Sequence, residues 1–152
     1  MEQNTYDVMI VAAGNGTRMG PSSIPKVLTP INGVPNLINT LKKIDELKFV
    51  NNVYIVVNKR NFHQIELAVS MAKNVTSVVV QLIEIESGRG DGHAVLEASK
   101  QINKLTDWFF VMWGDAYLTS HEIFNDCVME KFNNSQIKNP MFIPVVNEKE
   151  PY

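Results

Sequence analysis

The chain carries one cysteine, Cys127, in 152 residues. A lone thiol forms no internal disulfide and no cysteine-rich zinc site, which excludes a stapled secreted scaffold and a zinc ribbon. Excess charge is also scarce, with 14 Lys and Arg against 16 Asp and Glu and a formal net charge of -2. Nonspecific nucleic-acid binding draws on many cation–phosphate contacts, so no nucleic-acid partner is expected and any phosphate binding should be local. No apolar run approaches membrane-spanning length, and Met1 to Asp7 is polar and acidic, unlike a basic-then-apolar secretory leader. The expectation is a cytoplasmic protein with no membrane partner, in which the sequons at Asn15 and Asn74 stay unmodified. No repeat period and no low-complexity tract is present.

What is present is ordinary for a globular domain: 45% hydrophobic and 20% charged residues. A single domain of this length buries roughly two thirds of its unfolded surface, enough for a core without staples. Four apolar runs rich in β-branched or aromatic residues read as buried strands: Val8 to Ala12, Val53 to Val57, Ser77 to Ile83 and Trp108 to Met112. A fifth, Met141 to Val146, contains Pro144 and reads as an edge or bulged strand.

Helix-period segments lie between the strands. Leu37, Ile38, Leu41, Ile44 and Leu47 make one stripe, preceded by Pro35 where a helix's first turn tolerates proline. Ile65, Ala68, Val69 and Ala72 make a second, Ala94, Val95, Ala98 and Ile102 a third, and Phe124, Cys127, Val128 and Phe132 a fourth behind a Thr119–Glu122 capping box. This alternation predicts an α/β fold: three layers, α/β/α, around a mainly parallel sheet. Asn147 to Tyr152 follow a strand with no helix to close the unit, so the chain is expected to be truncated on its C-terminal side.

Ligands of open α/β sheets collect beyond the carboxyl ends of the strands. The loop after the first strand reads Ala12-Ala13-Gly14-Asn15-Gly16-Thr17-Arg18. Glycines there let main-chain amides approach an anion, Thr17 adds a hydroxyl donor, and Arg18 adds a planar fork suited to phosphate oxygens. A dinucleotide fingerprint would need glycine where Met19 stands, and a P-loop would need Gly-Lys-Ser/Thr, which is absent. In Pro25-Lys26, proline fixes the backbone while a flexible ammonium can reach a phosphate.

A second glycine segment, Gly88-Arg89-Gly90-Asp91-Gly92-His93-Ala94, follows the third strand and opens a helix, another anion-binding end. The fourth strand runs into Gly114-Asp115 and so delivers a carboxylate to the ligand face. Mg²⁺ takes one or two such oxygens beside phosphate and water. His63 and His121 have no partners at ligand spacing and read as surface residues, and Cys127 reads as core.

The order Ala12-Ala13-Gly14-Asn15-Gly16-Thr17-Arg18-Met19, Pro25-Lys26-Val27-Leu28 and Ile31-Asn32-Gly33-Val34-Pro35 resembles the NTP-transferase superfamily. The resemblance is closest to the uridylyltransferase domain of bacterial N-acetylglucosamine-1-phosphate uridylyltransferases and related sugar nucleotidyltransferases. It implies a Rossmann-like nucleotide-diphospho-sugar transferase fold, with residues 1–152 as the nucleotide-binding part of a nucleotidyltransferase domain. The implied activity moves a nucleoside monophosphate from a nucleoside triphosphate to a phosphorylated small-molecule acceptor, a sugar 1-phosphate, with release of pyrophosphate and with Mg²⁺ as cofactor.

The resemblance assigns Arg18 and Lys26 to catalysis, Arg18 on the β/γ-phosphates and Lys26 between α-phosphate and acceptor. Ala12, Ala13, Gly14, Asn15, Gly16, Thr17, Gly90, Asp91, Gly92 and Gly114 fall to nucleotide binding, and Asp115 to the metal. Uridine-specific members carry glutamine where Ile85 stands and threonine or a similar residue at Asp91, so UTP and CTP both stay open. An ionised carboxylate at Asp91 or Glu86 accepts hydrogen bonds and suits an exocyclic amino group. Two other classes compete: a catalytically silent nucleotide-binding regulatory module, and a dinucleotide-dependent oxidoreductase, disfavoured because Asn58-Lys59-Arg60 supplies no acid after the second strand.

Overall fold

Tyr6 to Val11 are six consecutive buried residues, as a strand covered on both faces requires. This is β1 of a computed structural model that describes residues 5–14, 24–47, 49–86, 89–106 and 109–116. The chain divides into two compact units, Met1–Thr119 and Ser120–Tyr152, and every described residue belongs to the first.

After β1 (Tyr6–Val11) come a 3₁₀ turn (Lys26–Leu28), β2 (Pro30–Ile31), β3 (Val34–Pro35), α1 (Asn36–Asp45), β4 (Val50–Asn58), α2 (Phe62–Ala72), β5 (Val80–Ile85), α3 (Asp91–Ser99) and β6 (Phe109–Trp113). Among the described residues the main sheet has the order β5-β4-β1-β6, with all three pairings parallel. Parallel neighbours need a crossover, and α1, α2 and α3 each supply one. The α/β expectation holds.

The crossovers through α1 and α2 carry the chain outward in one direction, from β1 to β4 and then to β5. The crossover through α3 returns it past β1 to β6. Right-handed connections running in opposite directions place their helices on opposite faces, giving the three layers. On the α3 face, Ala94 and Ala98 pack with Met9, Val11, Tyr54, Val56 and Ile85. Strand alternation turns Val8, Ile10, Val53, Ile55 and Val57 to the other face, all of them buried.

Leu37, Leu41, Ile44 and Ile65 are completely buried. Each such side chain contributes roughly 1.5–3 kcal/mol of transfer free energy. The reversal of direction puts the switch point between β1 and β6, where open α/β sheets leave a crevice beyond their carboxyl ends.

Several expectations shift in the structure. Pro35 is the residue before α1 and closes a hairpin whose turn, Asn32-Gly33, has φ of 51° and 79°. Asn-Gly is the usual two-residue turn for such a hairpin, a signal present in the sequence. The third strand begins at Val80 rather than Ser77, and Val79 is 56% exposed. Among the described residues it stands at the sheet edge next to β4, and its burial is partial where a fully buried strand is expected.

Asp7 belongs to β1 rather than to a solvated leader and is buried. Its Oδ1 accepts from the Asn52 amide at 3.2 Å, from Asn52 Nδ2 at 3.0 Å and from Asn51 Nδ2 at 3.3 Å. Its Oδ2 accepts from the Thr106 amide at 2.9 Å. Several donors on one carboxylate offset the cost of burying it. The strand expected at Met141 to Val146, the helix around Phe124 to Phe132 and Cys127 lie outside the described residues. No helix among the described residues is long and apolar enough to cross a membrane.

Candidate nucleotide site

Four of the segments singled out in the sequence meet at the carboxyl ends of β1 and β6. β1 runs into Ala12, Ala13 and Gly14; β6 runs into Gly114 and Asp115. The register that pairs Val11 with Trp113 sets these two exits side by side. The Gly114 amide donates to the Val11 carbonyl at 2.9 Å. A Cβ on Gly114 would lie 2.7 Å from Val27 Cγ1, 2.9 Å from the Val11 oxygen and 3.3 Å from Ala12 Cβ. Only glycine permits that approach.

The same contact locates Lys26. Pro25 starts the 3₁₀ turn, which is closed by the Leu28 amide on the Pro25 carbonyl at 2.8 Å and the Thr29 amide on the Lys26 carbonyl at 3.0 Å. Val27 is buried against Gly114, so its neighbour Lys26 emerges at the end of β6. Lys26 Nζ donates to Asp115 Oδ2 at 3.1 Å. Both side chains remain about half exposed, at 42% and 47%. An exposed pair of this kind contributes only about 0–1 kcal/mol to stability. Its components are therefore free to exchange partners.

Asn36, the first residue of α1, braces the turn from behind: its Nδ2 donates to the Ala116 carbonyl at 3.1 Å and its amide to the Thr29 carbonyl at 3.1 Å. Asn36 was not among the residues singled out in the sequence. Its signal was a polar residue heading an apolar stripe.

The second glycine segment reaches the same edge. Gly90 has φ 104° and stands at the N-cap of α3, a conformation that favours glycine. Asp91 in the first turn of α3 accepts from Trp113 Nε1 at 2.7 Å, which ties the α3 N-terminus to the end of β6. Trp113 is 60% exposed, so its indole is presented to solvent beside that carboxylate. Ile85 is buried in the cluster beneath α3, so its side chain belongs to the core. Gly92 is open, with no atom near its Cα substituent position.

Asn15, Gly16, Thr17 and Arg18 lie outside the described residues. His63 is on the surface as expected, but it does have a carboxylate neighbour: Nδ1 lies 3.4 Å from Glu66 Oε2, one helical turn on. Among the described residues, no three His, Cys, Asp or Glu side chains gather as a metal cage. Asp115 alone fits the way Mg²⁺ binds beside phosphate, through one or two carboxylates with water completing the shell.

Residues 8–149 match the MobA-like NTP transferase domain. The chain belongs to that family. Relatives include the bifunctional protein GlmU of Methanococcus aeolicus, 32% identical over 144 residues that cover 92% of this chain and 32% of GlmU. This chain thus spans about a third of that relative's length. HddC from Yersinia pseudotuberculosis, solved in complex with GMP-PN, is 26% identical with a TM-score of 0.62, over 85% of this chain and 55% of HddC. A putative glucose-1-phosphate thymidylyltransferase from Bacillus anthracis shares the fold with a TM-score of 0.70 at 17% identity, over 86% of this chain and 51% of its own.

In this NTP-transferase frame the Lys26–Asp115 pair lies at the carboxyl end of β6, next to the β1 exit, and the Trp113–Asp91 bond ties the start of α3 to the same strand end.

Proposed function

We propose that this MobA-like domain transfers a nucleoside monophosphate from a nucleoside triphosphate to a sugar 1-phosphate and releases pyrophosphate. The observation that carries the reading is the pair Lys26 and Asp115, an exposed ammonium and a carboxylate 3.1 Å apart at the carboxyl end of β6.

An oxygen of the acceptor phosphate attacks the α-phosphorus in line. The bond from that phosphorus to its bridging oxygen breaks, and the electron pair leaves with pyrophosphate. Both reactants are anionic, so the protein's work is to position them and neutralise charge.

Lys26 moves from Asp115 to the α-phosphate and acceptor oxygens, where its ammonium offsets the charge that keeps the two reactants apart. Main-chain amides of Ala13 and Gly14, with the loop through Asn15, Gly16, Thr17 and Arg18, hold the triphosphate. Asp115, released by Lys26, would hold Mg²⁺, which when bound supplies charge neutralisation on the phosphate oxygens. Gly90, Asp91 and Gly92 border the base.

The sequence resemblance favours uridine slightly. A second reading, cytidine, is favoured by Asp91: Trp113 occupies Oδ2, and the carboxylate's remaining oxygen is an acceptor that fits an exocyclic amino group. The experiment is a panel of the four triphosphates with Mg²⁺ and a set of sugar 1-phosphates, read as pyrophosphate release. Release that depends on the acceptor supports transfer, and nucleotide binding without release under any pairing refutes it in favour of a silent module.

A further inference from the structure

We propose that Asn58 and Asn61 are positioning residues that aim the main-chain amides of Ala13 and Gly14 into the nucleotide site. The inference rests on the nucleotidyltransfer reading and adds a part of the site that lies outside both glycine loops.

The Ala12 amide still completes the sheet, donating to the Val56 carbonyl at 2.9 Å. Beyond it the ladder ends, and the carbonyls of Ala12 and Ala13 need other partners because both residues are 4% exposed. The turn between β4 and α2 provides them. Asn61 Nδ2 donates to the Ala12 carbonyl and Asn58 Nδ2 to the Ala13 carbonyl, each at 2.7 Å.

The two asparagines hold one another. The Asn58 amide donates to Asn61 Oδ1 and the Asn61 amide to Asn58 Oδ1, each at 3.0 Å. Each Oδ1 thus accepts and each Nδ2 donates, so neither side-chain amide can turn over without losing these bonds. Both residues are buried, at 4% and 5% exposure, so water offers no easy replacement. A surface turn closed by asparagine has no need of this reach into a neighbouring loop.

A trans peptide sets each N–H opposite the preceding carbonyl. With the carbonyls of Ala12 and Ala13 drawn toward β4 and α2, the amides of Ala13 and Gly14 face away from the asparagines. Neither amide is seen donating to another described residue. Two adjacent amides held outward at the end of β1, beside Gly114 and Asp115, are donors prepared for an anion or a base carbonyl. Aspartate would keep the size and the Oδ1 acceptor but replace the donor with an acceptor, so Asn→Asp breaks the clamp bond with little change in side-chain volume.

The test compares the wild-type chain with Asn58→Asp, Asn61→Asp and, as a control for destabilisation alone, Ile65→Ala in the core of α2. Binding of non-hydrolysable analogues of the four triphosphates is measured with Mg²⁺, together with KM for nucleotide, KM for acceptor at saturating nucleotide, and thermal unfolding. The aspartate variants should weaken analogue binding and raise nucleotide KM by about tenfold, with acceptor KM within about threefold. Ile65→Ala should lower the unfolding temperature and leave nucleotide affinity in place.

Wild-type chain that binds none of the analogues overturns the nucleotide reading itself. Wild type that binds while the aspartate variants bind equally well overturns the clamp and leaves that reading standing. Where an aspartate variant fails to fold, hydrogen exchange at the Ala13 and Gly14 amides of wild type decides. Slowing on nucleotide addition supports the clamp, and unchanged exchange refutes it.

Discussion

Lys26 and Asp115 are 89 residues apart in the chain and meet at 3.1 Å, each about half exposed. As a surface ion pair they do little for stability. Under the proposed function Lys26 would serve phosphate and Asp115 a metal, so the pair would hold two reagents against one another. The two roles separate cleanly in substitution. Lys26→Ala is expected to change the unfolding free energy by less than about 1 kcal/mol, yet to lower turnover by about a hundredfold or more while nucleotide still binds. A large loss of stability with turnover preserved would make the pair structural instead.

Asp115→Asn keeps the shape and removes the charge. The Mg²⁺ concentration for half-maximal activity should rise by about tenfold or more, because even a partner outside the coordination shell typically carries a factor of that size. An unaltered Mg²⁺ titration would place the cation elsewhere.

Gly114 is the point at which β6, the Lys26 turn and the β1 exit touch. A methyl group there meets a main-chain oxygen at 2.9 Å as well as Val27, so the strands must separate to admit it. Gly114→Ala should cost about 1–3 kcal/mol and depress turnover at the same time, since Lys26 and Asp115 are carried on the displaced segments. Calorimetry showing wild-type stability would mean the approach is looser than 2.9 Å.

Asp91 tests the base. Asparagine at this position can donate as well as accept, so Asp91→Asn should shift the ratio of kcat/KM for CTP over UTP toward UTP by about tenfold. A constant ratio would detach the Trp113–Asp91 bond from base recognition and leave it as a brace between β6 and α3.

Tyr54 gives a pH dependence remote from the chemistry. Burial, and secondarily the charge of Asp7, raise its phenol above the usual 10.0. The folded state then keeps a proton that the unfolded chain releases, so this group's stabilisation is complete below pH 10.0 and is lost as pH rises through the folded value. Tyr54→Phe should flatten the alkaline limb of a stability–pH curve, and an identical limb in the variant would remove Tyr54 as its cause.

Much of this fold was legible as pattern. Continuous apolar runs marked β1, β4 and β6, and the stripes through Leu37, Ile65 and Ala94 marked α1, α2 and α3. What blurred was register. Ser77 to Val79 read as strand because valines look alike whether paired or not, whereas pairing of Val53 with Val80 is decided by β4.

Asp7 blurred for the converse reason: an acidic residue beside a polar terminus looks solvated until Asn51, Asn52 and Thr106 are brought to it. At the site, Lys26 and Asp115 were found from their local settings, but their contact was not, because it depends on Val27 docking at Gly114. Asn58 and Asn61 were missed altogether. Two asparagines after a strand look like any turn, and only the folded chain reveals that they close on a different loop.

The most direct measurement follows the phosphorus. Triphosphate labelled at the α-position is incubated with Mg²⁺, a sugar 1-phosphate and the chain, and the products are separated. The label should leave in a diphosphosugar while unlabelled pyrophosphate forms in equal amount, and Lys26→Ala should abolish both together. Label recovered only as free nucleoside mono- or diphosphate, independent of the acceptor, would contradict nucleotidyl transfer.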